Sequence, residues 1–275
     1  MTQTAPAAVA FTTYDESIPA ALDQIGARKI LALQDAILIK PNLVNATPHP
    51  VTTHPDSCAA VIDYIRSFSG ADIVIAEGCG DAGRETPAVF TALGYEAVAE
   101  RTGVALLDLN HAPLVKKTDA RCPVFPEIYL PEIAFTHFIV SVPVLKAHSL
   151  STITGTLKNM MGFAPPAHYS GHGGTWKKAV FHQRMQQSII DLNRYRTPDL
   201  TVLDASIGLA DYHLGGATCD PPVNQIIAAF DPLAADRTAA GLLGMDWRKI
   251  RHLLFTKPSR LLSCRIPPPA RIEKH

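Results

Sequence analysis

A paired-cysteine pattern is missing from this chain. Its five cysteines, Cys58, Cys79, Cys122, Cys219 and Cys264, contain no C-x-x-C unit, which disfavours a ferredoxin-type cluster or a structural zinc knuckle. An odd count at irregular spacing is also no disulfide framework, so a reducing compartment is expected. Charge of one sign is missing too. Twenty-five basic and 25 acidic residues cancel, without the basic excess that a duplex nucleic-acid binder sets against phosphates. No run reaches the roughly 18 apolar residues of a membrane helix. The first residues, Met-Thr-Gln-Thr-Ala-Pro, do not lead from a basic stretch into an apolar one, as a secretory leader does. The expectation is a cytoplasmic protein that engages neither nucleic acid nor membrane. A P-loop and a G-x-S-x-G nucleophile elbow are absent as well.

What is present is ample apolar content, 47% of the 275 residues, in short runs that alternate with helix-like segments. Residues 35–40, 72–76 and 104–109 are apolar strand candidates, the last read as buried. Between them lie helical segments at 56–68, 85–93 and 95–102. This rhythm predicts an α/β fold, with a mostly parallel sheet or sheets and flanking helices. Prolines at 113, 123, 126 and 131 mark 110–136 as a crossover with one or two edge strands. A second rhythm follows, with strands at 137–142, 200–204 and 224–230 and helices at 151–162, 182–195 and 232–243. Asp231-Pro232 supplies an N-cap and N1 proline for the last helix, and Gly244 stops it. The division expected is two Rossmann-like lobes, 1–136 and 137–253, followed by an irregular basic tail, 254–275. Two half-sheets, or one sheet with a switch of strand order, both fit.

Ligands of open α/β sheets bind beyond the carboxyl ends of the strands. Lys40-Pro41-Asn42, Glu77-Gly78-Cys79-Gly80-Asp81, Lys146-Ala147-His148 and Asp204 all fall at such ends. On a helix over 151–162, Ile153, Leu157, Met160 and Met161 form a core stripe, while Ser151, Gly155, Lys158, Gly162 and, at its edge, Asn159 share the other side. The amino end of that helix would reinforce the positive potential of Lys146 and His148. This chemistry suits a carboxylate or phosphate. Loop 163–181 is long and rich in glycine and histidine, as lids and binding loops often are. His168, His172 and His182 match no standard zinc spacing, so no metal site is assigned. Gly78-x-Gly80-x-x-Gly83 has the dinucleotide-loop form, but the first β-α turn lacks these glycines.

Three blocks carry a family resemblance: Lys40-Pro41-Asn42-Leu43-Val44, Val142-Pro143-Val144-Leu145-Lys146-Ala147-His148, and Thr154-Gly155-Thr156-Leu157-Lys158-Asn159-Met160-Met161-Gly162. With Asp199–Asp204 and Asp231–Asp236 they resemble, in order and from about residue 35 to 253, the domain-of-unknown-function family 362. The resemblance implies an α/β fold and association with iron–sulfur or redox proteins. Many members carry ferredoxin-type cysteine motifs that this chain lacks, so any cluster would belong to a partner. No established activity comes with the family.

The expected function is binding of a small anionic ligand or cofactor, with enzymatic acid–base chemistry. Lys146, His148 and His182 are the candidate catalytic residues. Lys40, Asn42, Ser151, Gly155, Lys158, Asn159 and Asp204 are the candidate binding residues. The alternatives are a non-catalytic partner of an iron–sulfur or redox protein, or a metal carrier using His168, His172 and His182.

Overall fold

Strands that are apolar on both faces have to be covered on both faces, and this requirement organises the molecule. The computed structural model describes residues 5–171 and 176–255. Its first half contains β1 (Ala7–Ala10), α1 (Tyr14–Gln24), α2 (Ala27–Leu31), β2 (Ala36–Pro41), α3 (Pro55–Arg66), β3 (Asp72–Glu77), α4 (Thr86–Ala92), α5 (Tyr95–Thr102) and β4 (Ala105–Asp108). Next come β5 (Leu114–Thr118), β6 (Glu127–Pro131), α6 (Ile133–Thr136), β7 (Phe138–Val142), β8 (Val144–His148), β9 (Thr152–Ile153) and α7 (Gly155–Asn159). The chain continues through α8 (Pro166–Tyr169), α9 (Ala179–His182), α10 (Met185–Tyr195), β10 (Leu200–Leu209), β11 (Gln225–Ala229) and α11 (Pro232–Leu242).

The main sheet runs β1-β11-β10-β7-β2-β3-β4, with β8 and β9 attached beside β10. Neighbours from β10 to β4 are parallel, and β11 and β1 close one edge antiparallel. The α/β fold is therefore as expected, in one large and mostly parallel sheet. The expected boundary at 136/137 falls inside that sheet, because β7 pairs with β2 along Ile37–Pro41. Side chains alternate between two cores, as the period of a strand requires. Ile37, Ile39, Ile73, Ile75 and Val140 pack with α1, α3 and α5. Leu38, Ala76 and Ile139 pack with α7, α10 and α11.

From β2 the chain moves outward to β3 and β4, and from β7 it moves the other way to β10. The strand order thus switches between β2 and β7, and a crevice opens at their carboxyl ends, where parallel sheets take ligands. Helix ends follow local chemistry: the Asp231 carboxylate accepts from Leu233 N at 3.0 Å beneath Pro232 at N1, and Gly244, at φ 70°, turns the chain after α11.

Several expectations are corrected. Strands β5 and β6 form a separate two-stranded sheet rather than edge strands of the main one. Strand β4 is a main-sheet edge and only half-buried, since nothing pairs beyond it. Residues 151–162 are not one helix. His148 Nδ1 accepts from the backbone N–H of Leu150 (3.0 Å) and Ser151 (3.3 Å), which folds the chain back as the β8–β9 hairpin. Helix α7 then has five residues and passes into a 3-10 turn at Met160–Phe163. Tail residues beyond Phe255, and His172, lie outside the described residues.

Candidate functional site

At the switch point, the end of β2 delivers Lys40 and Asn42 and the end of β3 delivers Glu77. The Lys40 amine is fully buried and lies 2.8 Å from both Glu77 carboxylate oxygens. Burial lowers the pKa of Lys40, and the charge and hydrogen bond of Glu77 oppose that shift. Glu77 also accepts from the backbone N–H of Leu43 and Gly78, so the buried pair is satisfied on both sides. Gly162 lies directly over it: a Cβ there would collide with both Glu77 Oε1 and Lys40 Nζ.

Asn159, at the end of α7, bridges β2 and β7. Its Nδ2 donates to Lys40 O (3.2 Å) and Ser141 Oγ (3.0 Å), while its Oδ1 accepts from Asn42 Nδ2 (3.1 Å). Asn42 Oδ1 in turn accepts from Lys146 Nζ at 2.6 Å, and Lys146 also donates to Val51 O at 2.6 Å. A continuous hydrogen-bonded chain therefore runs from Glu77 through Lys40, Asn159 and Asn42 to Lys146. Lys146 stands one layer behind the cavity that the others border, and burial with Lys158 nearby pushes it down to about 7.

The cavity, about 360 Å³, has the size of a small-molecule site. Asn42, Glu77, Lys158 and Asn159 line it, together with His148, His182 and His213. The His148 and His213 rings stack, with centroids 3.8 Å apart and planes 19° from parallel. His148 Nδ1 is taken by backbone N–H groups, so Nε2 carries the proton of its neutral ring. His182 is the opposite case: its Nδ1 lies 3.0 Å from Lys178 O, to which it can only donate, leaving Nε2 with the lone pair. Burial first, then the amine of Lys158, forces His148 far below the usual histidine range and His213 down to about 3. Burial lowers His182 too.

Lys158 differs from the other lysines here. Its amine makes no hydrogen bond among the described residues, and burial alone pushes it down to about 8. Lys178, by contrast, donates to Asn110 Oδ1 (3.0 Å), Ala164 O (2.6 Å) and Gly162 O (3.4 Å), and burial lowers it to about 7 against the opposing charge of Glu77.

Of the residues singled out from sequence, Asn42, His148, Lys158, Asn159 and His182 border the cavity, and Lys40 and Lys146 hold them from beneath. Three are not brought there. Ser151 is buried in the hairpin, donating to Ile153 O. Gly155 sits against Asp236, which a Cβ would strike. Asp204 serves a different cluster, accepting from Tyr14 Oη (2.8 Å) and Ser206 Oγ (2.7 Å), with His49 Nε2 at 3.2 Å. The expected helix-end potential is also corrected, because the first N–H groups of α7, on Thr156 and Leu157, are occupied by Asp236 at 2.6 and 2.9 Å. His168 stacks on Tyr129 with centroids 4.2 Å apart.

Glu77, Lys178 and His213 were not among the expected site residues. Glu77 was visible as a strand-end carboxylate and Lys178 as part of the long loop. His213 lies in an irregular segment after β10, and no periodicity marks it. Of the glycine triplet, Gly78 and Gly80 border the cavity, and Gly78 makes room for Gly162 O and Asn110.

"Thylakoid-associated protein sll1697" of Synechocystis sp. is 27% identical over 223 residues, which is 77% of this chain. The chain spans 64% of that relative's length. Among the described residues, no helix is long and apolar enough to cross a membrane. The profile of the domain of unknown function (DUF362) matches residues 37–241, nearly the whole sheet and every wall of the cavity, and the chain belongs to that family.

Proposed function

We propose that the switch-point cavity binds a small carboxylate- or phosphate-bearing molecule and that the protein is an enzyme using lysine and histidine acid–base chemistry on it. The observation that carries this reading is the amine of Lys158, which has no hydrogen-bond partner among the described residues and borders a cavity lined also by His148, Lys178, His182 and His213, alongside Asp81 and the Lys40-paired Glu77. An anion entering there finds a lysine amine with no competing acceptor among the described residues, and pairing with it favours the protonated amine. His148 Nε2–H is a hydrogen-bond donor for a ligand oxygen, and His182 Nε2 is an acceptor for a proton.

The test is a thermal-shift and calorimetric panel of small carboxylates and phosphates against the wild type and Lys158→Met. Stabilisation of the wild type by at least one anion, lost in the variant while the far-UV circular dichroism is unchanged, is the expected result. Equal responses of both proteins would end the reading.

A second reading, docking of a redox or iron–sulfur protein, is favoured by Trp176, which is 58% exposed yet borders the cavity. The relative's printed name adds association with a photosynthetic membrane to the cytoplasmic location expected from sequence; both are open to cell fractionation.

A further inference from the structure

The lysines around the cavity divide by what their amines touch. Lys40 is held by Glu77, Lys146 by Asn42 and Val51 O, and Lys178 by Asn110 and two carbonyls. Lys158 has none of these among the described residues. The charge of Lys158 disfavours protonation of Lys146 and His148 on β8, His182 on α9, His213 after β10 and His252 beyond α11. A lysine kept only to hold charge is normally given a carboxylate. One buried at a cavity wall, with no acceptor among the described residues, is arranged to be an uncharged nucleophile.

Resting on the anion-site reading, we propose that Lys158 is a covalent nucleophile toward a small anionic carbonyl compound, a 2-oxo acid or an aldehyde acid, with which it forms an imine in the switch-point cavity. Lys158 Nζ attacks the carbonyl carbon, a C–N bond forms, and the carbonyl π pair moves to oxygen. One N–H proton passes to that oxygen to give the carbinolamine. The C–O bond then breaks, and the second N–H proton leaves with the oxygen as water; nothing is oxidised or reduced. The two histidines have complementary tautomers for these transfers. His148 presents Nε2–H to the carbonyl oxygen as a neutral imidazole, and His182 presents the Nε2 lone pair to the amine proton. The depressed pKa of Lys158 adds to this geometry, since it leaves a far larger neutral fraction near pH 7 than an exposed lysine has.

The experiment uses the full wild-type chain, glyoxylate as the smallest carbonyl acid, and cyanoborohydride to fix any imine, followed by peptide mapping. Carboxymethylation of Lys158 at least about tenfold faster than of the exposed Lys29 and Lys249 is expected. Modification of Lys158 no faster than of those surface lysines overturns the proposal, and so does a first modification at Lys146 or Lys178. Inorganic phosphate separates this inference from the reading beneath it. If phosphate stabilises the wild type but not Lys158→Gln, while glyoxylate leaves Lys158 unmodified, the anion site stands and the nucleophile falls. If Lys158 is modified selectively and neither phosphate nor any carboxylate slows the reaction, the nucleophile stands and the anion site falls.

Discussion

At the scale of single residues, the site rests on a buried charge pair and the glycine above it. Lys40 and Glu77 are both buried, and each is the other's only charged hydrogen-bond partner among the described residues. Removing one charge leaves the other stranded, which costs about 3–5 kcal/mol in comparable pairs, whereas replacing both with apolar groups is far milder. Glu77→Gln is therefore expected to destabilise the protein by about that much in urea unfolding, and the double variant Lys40→Met/Glu77→Leu to recover a large part of it. A double variant as unstable as the single one would show that Lys40 and Glu77 do not act as a unit. Lys40 was legible from sequence as a strand-end lysine. Its commitment to Glu77 was not, because the partners lie on different strands and only the parallel register of β2 with β3 aligns them.

At the scale of elements, the segment from β8 to α7 shows how a local pattern can mislead. Apolar residues at helical spacing from Ile153 to Met161 favour a helix from 151 onward, yet the chain makes a hairpin first. Two side chains decide the outcome: His148 caps the turn at Leu150 and Ser151, and Asp236 on α11 takes the N–H groups of Thr156 and Leu157. Gly155, at φ 55°, is the joint between hairpin and helix, and it lies so close to the Asp236 carboxylate that no Cβ fits. Gly155→Ala is expected to cost about 1–3 kcal/mol from the left-handed backbone alone, with the collision against Asp236 added. Thermal or urea unfolding measures it, and a loss below about 0.5 kcal/mol would mean that the segment relaxes freely. Helix α11 was legible end to end, from Asp231-Pro232 to Gly244, because its signals are all local.

For the whole molecule, several buried bases share one low-dielectric region, and their titration is coupled to folding. Burial lowers Lys146 and Lys178 to about 7 and Lys158 to about 8, whereas the unfolded chain keeps ordinary lysine values near ~10.4. Between the folded and unfolded values the native state binds fewer protons than the unfolded one, so stability rises with pH. Denaturant titrations from pH 7 to about 8.5 are expected to show this rise, on the order of 1 kcal/mol per pH unit for each fully titrating amine. A bound anion, which favours the protonated amines, is expected to flatten the gradient; a gradient unchanged by a stabilising anion would place that anion elsewhere. The depressed His148 and His213 have the same sign in a lower window: their contribution is complete above the unfolded value near ~6.5 and is lost as pH falls.

Residue order alone determined the alternation of strands and helices, the parallel character of the sheet and the placement of polar groups at strand ends, since these follow from periodicity, capping and the need to cover both faces of apolar strands. It also carried the family, through blocks lying at the ends of β2, β7 and β8. Only the tertiary structure decided which lysines are paired and which one has no partner among the described residues. It put Lys146 behind Asn42, withdrew Ser151, Gly155 and Asp204 from the cavity, and brought in Lys178 and His213 from segments with no periodic signal. The reason is physical: the state of a buried amine depends on which oxygens lie within about 3 Å of it, and those oxygens come from strands and loops far apart in the chain.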